Sequence, residues 1–322
     1  MQPKIPVLLG IRFLSPKNKF SAGKRRTVFF FNCKYICTFA EQIFYLQPTM
    51  LLYPNAKINL GLNVIERRPD GYHNLETVFL PIALHDELEI LPNSTQTIDF
   101  RQTDGFQLDC DDTDNLIVRT CRLFQDKYGI PGVTVRFKKF IPFGAGLGGG
   151  SSDAAHTAIA LNKLFDLHLT TEQLIADVSR LGADCAFFIL NRPCYAEGIG
   201  DRLTPIELDL SGYAFALVKP DVHISTKMAY SGIRPMRPEH NLRDLLRRPV
   251  NEWKGLVIND FEASVFTQFP VIADIKKQLY AMGAAYVSMT GSGAGVFALF
   301  PNQSYDKNTL YQSFADFFIF AG

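Results

Sequence analysis

The sequence predicts an α+β protein of two domains, because segments with strand periodicity and segments with helical periodicity are mixed along most of its 322 residues. Hydrophobic residues make up 47% of the chain, which is enough for two sizeable cores at this length. A cluster of glycines joins a strand pattern to a helix pattern at residues 141–155. Such a junction is typical of a loop that binds an anion.

The strands are recognised by alternating apolar and polar residues, and the helices by apolar residues three and four positions apart. Strands are expected at 51–65, 75–83, 86–91, 133–141, 213–219, 285–290 and 296–300, and helices at 115–128, 151–165, 172–181 and 271–282. Thr170 or Thr171 is the expected N-cap of the third helix. Gly182 is its expected stop.

The domain boundary is expected near residue 208. Residues 201–212 contain Pro205 and Gly212 and are typical of a crossover between domains. We therefore expect an N-terminal domain at 50–208, which carries the glycine loop, and a C-terminal domain at 209–322.

Residues 1–49 form a basic and aromatic extension, with eight lysines and arginines against a single acid, Glu41. An organelle transit peptide would fit this composition, although serine is sparse. A signal peptide is disfavoured because Arg12 interrupts the apolar stretch, and polar residues also interrupt the best membrane-spanning window. We expect that Met50 is the true start and that the preceding segment is upstream sequence or a disordered tail outside the fold.

Composition narrows the class of partner. A net charge of +1 gives no broad basic surface, so a small-molecule substrate is expected rather than nucleic acid or a membrane.

The six cysteines lack the spacing of a zinc site and the six histidines lack a ligand pattern, so no metal held by protein side chains is expected. Reduced thiols favour a cytoplasmic location. The sequence does not indicate an oligomeric state.

The glycine loop is predicted to hold phosphate. Glycines adopt positive φ and let backbone N–H groups converge on an anion at a helix N-terminus, where the helix dipole adds positive potential. A dinucleotide-binding loop is disfavoured because the preceding strand alternates instead of being continuously apolar. A Walker A loop is excluded because no lysine precedes Ser151. A flexible linker would not be flanked by a strand and an alanine-rich helix.

Further segments carry polar groups that suit phosphoryl transfer, which needs a carboxylate to accept the hydroxyl proton and a cation to stabilise charge. Lys57 and Asn59 fall on one face of a strand, and Asp184 follows the third helix. By themselves, the first two are typical of a solvated strand face and the acid of a turn. The second glycine loop, at 290–295, is either a tight turn or a further source of N–H groups.

Tyr72 and His73 end a polar turn after the lysine strand. Their rings are suited to stack on a planar base and to hydrogen-bond with it.

Together, the segments 55–60, 70–73, 142–153, 182–184 and 290–294 resemble the GHMP kinase superfamily. The resemblance covers nearly everything from Met50 onward. The glycine loop alone identifies only the superfamily, whereas the lysine strand and Asp70-Gly-Tyr-His separate this chain from homoserine, mevalonate and galactose kinases. They are most similar to the branch that phosphorylates a cytidine-diphosphate-linked methylerythritol.

This resemblance implies a domain similar to domain 2 of ribosomal protein S5, followed by a ferredoxin-like domain, with a deep cleft between them. It implies that ATP transfers its γ-phosphoryl group to the 2-hydroxyl of the acceptor and that Mg²⁺ arrives with the nucleotide. By the same resemblance, Asp184 activates the hydroxyl and Lys57 is the neighbouring cation. Other kinases of the superfamily, or a non-catalytic ligand sensor on this scaffold, are the alternatives.

The remaining site residues also follow from the resemblance. The ATP phosphates are expected at Pro142, Phe143, Gly144, Ala145, Gly146, Leu147, Gly148, Gly149, Gly150, Ser151 and Ser152. Tyr72 and His73 match the cytosine-binding pair, while Asn59, Thr226 and Tyr230 match further positions of the substrate pocket. This chain departs from the family after Asp184, where Cys185-Ala186 replaces Val-Pro, and at Gly295, where cysteine is common. Neither change removes a group that the chemistry needs.

Overall fold

A computed structural model describes residues 49–108, 110, 111 and 113–322. The expectations for residues 1–48 lie outside the described residues. The described residues belong to one compact unit, Leu46–Gly322. The domain boundary near residue 208 therefore stays a prediction. Within this part of the chain, no helix is both long and apolar enough to cross a lipid bilayer.

The described residues form three four-stranded sheets, in the orders β1-β4-β6-β5, β2-β3-β7-β8 and β10-β11-β9-β12. The strands are β1 (Met50–Leu52), β2 (Asn55–Arg67), β3 (His73–His85), β4 (Glu87–Pro92), β5 (Ile98–Gly105), β6 (Val133–Lys139), β7 (Cys194–Gly198), β8 (Arg202–Pro205), β9 (Tyr213–Lys219), β10 (Tyr286–Met289), β11 (Val296–Pro301) and β12 (Phe318–Ala321). The α-helices are α1 (Leu116–Tyr128), α2 (Gly149–Leu164), α3 (Thr171–Val178), α4 (Cys185–Leu190), α5 (Thr226–Ser231), α6 (Leu242–Leu246), α7 (Phe261–Gln268), α8 (Pro270–Ala281) and α9 (Lys307–Ser313). Short 3₁₀ turns lie at Val250–Glu252 and Asn302–Ser304.

The single strand predicted at 51–65 is wrong, because Pro54 separates β1 from β2. Proline lacks an N–H donor and therefore interrupts a hydrogen-bonded ladder. The two pieces join different sheets: β1 pairs with β4, whereas β2 pairs with β3 over most of its length. The break lets β2 run into the centre of the molecule, where it carries Lys57 and Asn59.

Side-chain caps begin α1 and α3, and the sequence analysis predicted the second of these caps. Asn115 caps α1 by accepting a hydrogen bond from the N–H of Ile117. Thr170, not Thr171, caps α3, and its side chain forms a capping box with Gln173. The stop predicted at Gly182 is wrong, since α3 ends at Val178.

The third sheet has the strand order and connections of a ferredoxin-like fold. Its strands and packed helices follow the order β9, α8, β10, β11, α9, β12, and all neighbouring strands are antiparallel. The predicted fold class is therefore confirmed here. The sequence analysis missed β5, β7, β8, β12 and the helices α4, α5, α6, α7 and α9, and β8 lies inside the segment predicted to be a plain crossover.

Strand β2 also contacts the later part of the chain, and this brings the two glycine loops together. The N–H of Leu62 donates to the carbonyl of Ile258 at 2.8 Å, and the N–H of Val64 donates to the Asp260 carboxylate at 2.7 Å. Between these contacts and the first glycine loop, the N–H of Asn59 donates to the Thr290 hydroxyl at 3.0 Å. The two halves of the candidate site are thus anchored to one strand.

Candidate active site

Both glycine loops face a cavity of about 550 Å³. Its lining includes most of the residues predicted from the sequence, namely Lys57, Asn59, Pro142, Phe143, Gly144, Ala145, Gly146, Leu147, Gly148, Gly149, Gly150, Asp184, Thr226 and Tyr230. Ser151 and Ser152 lie in the first turn of α2 and are not part of this lining. Helix α2 begins at Gly149, so its N-terminus opens onto the cavity as the glycine pattern predicted.

The two glycine loops are joined by backbone hydrogen bonds. The N–H of Ala294 donates to the carbonyl of Gly144 at 2.8 Å, and the N–H of Gly295 donates to that of Ala145 at 3.3 Å. Gly146 has a φ of 72°, and a Cβ atom placed there would lie only 2.1 Å from the carbonyl oxygen of Thr290. Glycine is required at this position for both its backbone conformation and its lack of a side chain.

Lys57 and Asp184 meet inside the cavity, although they are far apart in sequence. Their Nζ and Oδ2 atoms are 3.4 Å apart. The lysine is buried, whereas the side chain of Asp184 is 31% exposed. Asp184 directly precedes α4 but makes no capping hydrogen bond, so its carboxylate is available to a ligand. An ammonium and a partly accessible carboxylate therefore face the same space.

Asn59 holds the lysine in position. Its Oδ1 accepts a hydrogen bond from Lys57 Nζ at 2.8 Å, and its Nδ2 donates to the Thr77 hydroxyl at 2.9 Å. The ring of Phe79 lies 4.8 Å from the same ammonium. Thr77 and Thr290 are fully buried polar partners that sequence reasoning missed. Thr77 places a hydroxyl at an inward position of β3. Because a buried hydroxyl needs a hydrogen-bond partner, this position could have indicated a polar contact.

The predicted substrate residues are only partly gathered at the cavity. His73 stacks on Tyr230 with ring centroids 4.6 Å apart, and Thr226 begins helix α5 beside them. Burial, and to a smaller extent the charge of Arg67, lowers the pKa of His73, which favours a neutral ring. Burial, with a smaller contribution from Asp184, raises the pKa of Tyr230. Tyr72 is 62% exposed, and both Tyr72 and His73 lie outside the cavity lining, which includes Thr226 and Tyr230.

A second buried lysine lies behind the phosphate loop, and sequence reasoning missed it. Lys139 Nζ contacts Asp86 at 2.5 Å and Asp153 at 3.0 Å, and all three side chains are almost completely buried. Lys139 lies at an inward position of β6, which alternates with a period of two, and that was the available signal. A Cβ atom at Gly149 would lie 2.9 Å from its Nζ. The lysine therefore supports the start of α2 from behind.

The two carboxylates of this cluster differ in their surroundings. Asp86 Oδ1 also accepts hydrogen bonds from the N–H groups of Phe140 and Ile141 at 2.5 and 2.8 Å. Asp153 Oδ1 is buried without a hydrogen-bond partner among the described residues. Burial, opposed by the charge of Lys139 and reinforced by that of Asp86, raises the pKa of Asp153 to about 8. One ammonium thus faces two carboxyl groups, and burial favours the neutral form of Asp153.

Comparisons with known proteins agree with this geometry. The family patterns for the GHMP kinases N terminal domain and the GHMP kinases C terminal match residues 115–192 and 240–312. A 4-diphosphocytidyl-2-C-methyl-D-erythritol kinase of Bacteroides fragilis is 53% identical over 253 residues, which are 78% of this chain and 92% of the relative. This chain belongs to that family of GHMP kinases.

Two further members of the kinase family support the assignment. The relative of the same name from Parabacteroides distasonis is 46% identical over 273 residues, covering 85% of this chain and 99% of its own. A crystal structure of 4-(cytidine 5'-diphospho)-2C-methyl-D-erythritol kinase superposes with a TM-score of 0.72 at 34% identity, covering 85% of this chain and 98% of that one. The predicted family and fold are confirmed.

Replacing Gly146 with alanine should separate the two loops. The positive φ alone costs about 1–3 kcal/mol for a residue with a side chain, and the clash with Thr290 adds to it. We expect a lower midpoint of urea unfolding and a loss of nucleotide affinity, both measured on the same preparation. Gly150→Ala is the matched control, because its Cβ would meet only a Leu116 methyl at an ordinary 3.5 Å. Equal midpoints for the two variants would contradict this account of the loop.

Asp153→Asn should change how stability depends on pH. The pKa of Asp153 is about 8 in the folded protein against an ordinary 3.8, so the folded state keeps a proton that the unfolded chain loses. This contribution to stability is complete below the unfolded pKa and disappears as pH rises through the folded pKa. Compared with wild type, Asp153→Asn should therefore gain relative stability between about pH 4 and 8. Urea unfolding across this range measures the difference.

Asp86→Asn is the contrasting variant for that series. It removes the charge that balances Lys139 and weakens two hydrogen bonds from the backbone, so it should destabilise the protein at every pH in the range. The same pH profile for both variants would show that the two carboxylates are equivalent.

Proposed function

We propose that this protein transfers the γ-phosphoryl group of ATP to the 2-hydroxyl of 4-diphosphocytidyl-2-C-methyl-D-erythritol, in the non-mevalonate route to isoprenoid precursors. One observation carries the chemistry: Lys57 and Asp184 lie 3.4 Å apart in a cavity that the first glycine loop also lines. The identity to kinases of that name supports the choice of substrate.

The ATP phosphates are assigned to the N-terminus of α2. The first N–H groups of a helix have no partner within the helix, and its dipole favours negative charge there. Gly148, with a φ of 69°, directs the chain into this turn. Ser151, which also belongs to the predicted phosphate loop, contributes its backbone N–H from the first turn of the helix. The N–H of Ser152 donates to the carbonyl of Gly148 at 2.9 Å, so Ser152 closes that first turn and does not bind phosphate through its backbone.

Asp184 is assigned as the group that accepts the proton of the acceptor hydroxyl. As the new bond forms between that oxygen and the γ-phosphorus, the bond to the oxygen bridging the β- and γ-phosphates breaks and ADP leaves. The proton goes to the Asp184 carboxylate. Lys57 stabilises the negative charge on the moving phosphoryl group, and Asn59 keeps the ammonium oriented through its 2.8 Å hydrogen bond.

Magnesium is assigned to the nucleotide and not to a cage of side chains. Among the described residues, no group of three or more histidines, cysteines and acids is arranged to hold a metal. Among the described residues of the cavity lining, Asp184 is the single carboxylate, and Mg²⁺ commonly combines one or two carboxylates with substrate phosphates. When bound, Mg²⁺ would neutralise charge on the phosphates.

The acceptor is assigned to the side of the cavity that Tyr230 lines, where His73 stacks on its ring. Their stacked rings offer a planar surface for cytosine, with Thr226 nearby on α5. Tyr72 would join them only by moving, since it is exposed in this structure. The cytoplasmic location and the domains at 50–208 and 209–322 remain predictions.

Transfer of labelled γ-phosphate from ATP to the acceptor tests this function directly. Homoserine, mevalonate and galactose serve as alternative acceptors, because another GHMP kinase would use one of them. A ligand sensor on the same scaffold would bind without transfer. No transfer to the cytidine-linked acceptor, with transfer to another alcohol, would overturn the proposal.

Asp184→Asn should lower kcat by about a hundredfold to ten-thousandfold, because amide nitrogen and oxygen cannot accept the proton as a carboxylate does. KM should change little, and single-turnover transfer measures the chemical step. Asp166→Asn is the matched control, since this acid is exposed in the turn after α2. A turnover within twofold of wild type would overturn the role of Asp184.

His73→Ala should raise KM for the acceptor more than it lowers kcat, because the ring lies away from the reacting hydroxyl. Loss of one hydrogen bond and of a stacked ring corresponds to about a tenfold increase in KM. His73→Phe keeps the stacking on Tyr230 and loses the ring nitrogens, so it separates the two contributions. Steady-state kinetics with each substrate varied in turn gives both constants. An unchanged KM for the acceptor would remove His73 from the pocket.

A further inference from the structure

His223 lines the cavity, and none of the previous assignments uses it. It lies between β9 and α5, on the segment that leads to Thr226. Its side chain is exposed, and within the described part of the chain neither ring nitrogen has a hydrogen-bond or ion-pair partner. A histidine in this situation is free to bind a ligand.

The ring of His223 rests against the first glycine loop. A Cβ atom at Gly144 would lie 3.0 Å from Nδ1 and 3.5 Å from Cε1 of His223. The carbonyl of Gly144 is at the same time bound to the N–H of Ala294 in the second glycine loop. His223 therefore sits where the two loops meet, at the edge of the space that phosphates are proposed to fill.

The charges in the cavity leave a need for another cation. A triphosphate and a diphosphate must share the space, yet the basic side chains of the described lining are Lys57, Lys139 and His223. Lys139 is paired with two buried carboxylates, and Lys57 is paired with Asp184. Of the three, His223 is the one without an anionic partner among the described residues.

We propose that His223 is a phosphate-binding residue, donating a hydrogen bond from a ring nitrogen to a phosphate oxygen at the junction of the two glycine loops. The inference rests on the proposed function, because it takes the ligands of that reaction as the source of phosphate. Two sources share this chemistry, the nucleotide and the diphosphate of the acceptor. The ring touches no reacting atom in this assignment, so it acts on binding and not on the chemical step.

Equilibrium binding tests this role separately from catalysis. Wild type, His223→Ala and His223→Lys are titrated calorimetrically with ADP alone and with the cytidine-linked acceptor alone. Loss of one hydrogen bond to an anion at an exposed site should weaken binding about five- to tenfold for His223→Ala. His223→Lys should restore most of the affinity, because the lysine ammonium also donates a hydrogen bond to an anion. His240→Ala is the control, since this histidine is also exposed but lines a different cavity.

Each outcome of the titrations has one meaning. Weaker binding of ADP assigns His223 to the nucleotide, and weaker binding of the acceptor assigns it to the acceptor diphosphate. The matching KM should rise while kcat stays within about twofold of wild type. Unchanged affinity for both ligands overturns the proposal, as does a loss that His223→Lys fails to restore in a protein with wild-type thermal stability. A wild type that binds ADP but transfers no phosphate would instead contradict the proposed function.

Discussion

The backbone contact between the two glycine loops sets the positions of the other groups in the cavity. Carbonyls of Gly144 and Ala145 are used by the second loop, and the carbonyl of Leu147 accepts a 3.0 Å hydrogen bond from the N–H of Lys57. The first part of the loop is therefore committed to structure. Its end, where α2 begins at Gly149, presents N–H groups that have no partner within the helix and can bind an anion. We infer that the carbonyls of the first glycine loop hold the cleft together, whereas the N–H groups at the start of α2 bind the ligand.

The two buried lysines have different carboxylate partners. Lys139 is suited to a structural role, whereas Lys57 is suited to contact a ligand. Lys139 contacts two carboxylates that are themselves buried, so its charge is balanced without a ligand. Lys57 contacts one carboxylate, and that carboxylate remains partly exposed to the cavity. A ligand phosphate can approach Lys57 and a hydroxyl can approach Asp184 without breaking a buried pair. The sequence analysis singled out Lys57 and missed Lys139, and the exposure of the partner carboxylates is what distinguishes the two in the structure.

Local interactions explain which parts of this protein the sequence could predict. Asn115 and Thr170 act on the N–H groups of the next few residues, so their capping roles are visible in a short window. Strand β5 was missed because its residues are mostly polar and its partner β6 lies well beyond it in the chain. Lys57 and Asp184 were candidates because phosphoryl transfer needs a cation and a carboxylate, and the family resemblance gave them their joint role. No local pattern fixes the contact between them, because it depends on how β2 and α4 pack.

The hairpin of β2 and β3 sets the distance between the proposed reacting groups and the stacked ring of His73. This distance can be compared with the length of the acceptor. Phe79 lies beside Lys57, and His73 begins the same strand β3 six residues earlier. A strand rises about 3.3 Å per residue, so the reacting end and the stacked ring are about 20 Å apart along β3. Under the proposed assignment of His73 to the acceptor, a small alcohol such as homoserine would not span this distance, whereas an extended nucleoside-diphosphate-linked alcohol would approach it. The spacing fixed by one strand therefore favours a long acceptor.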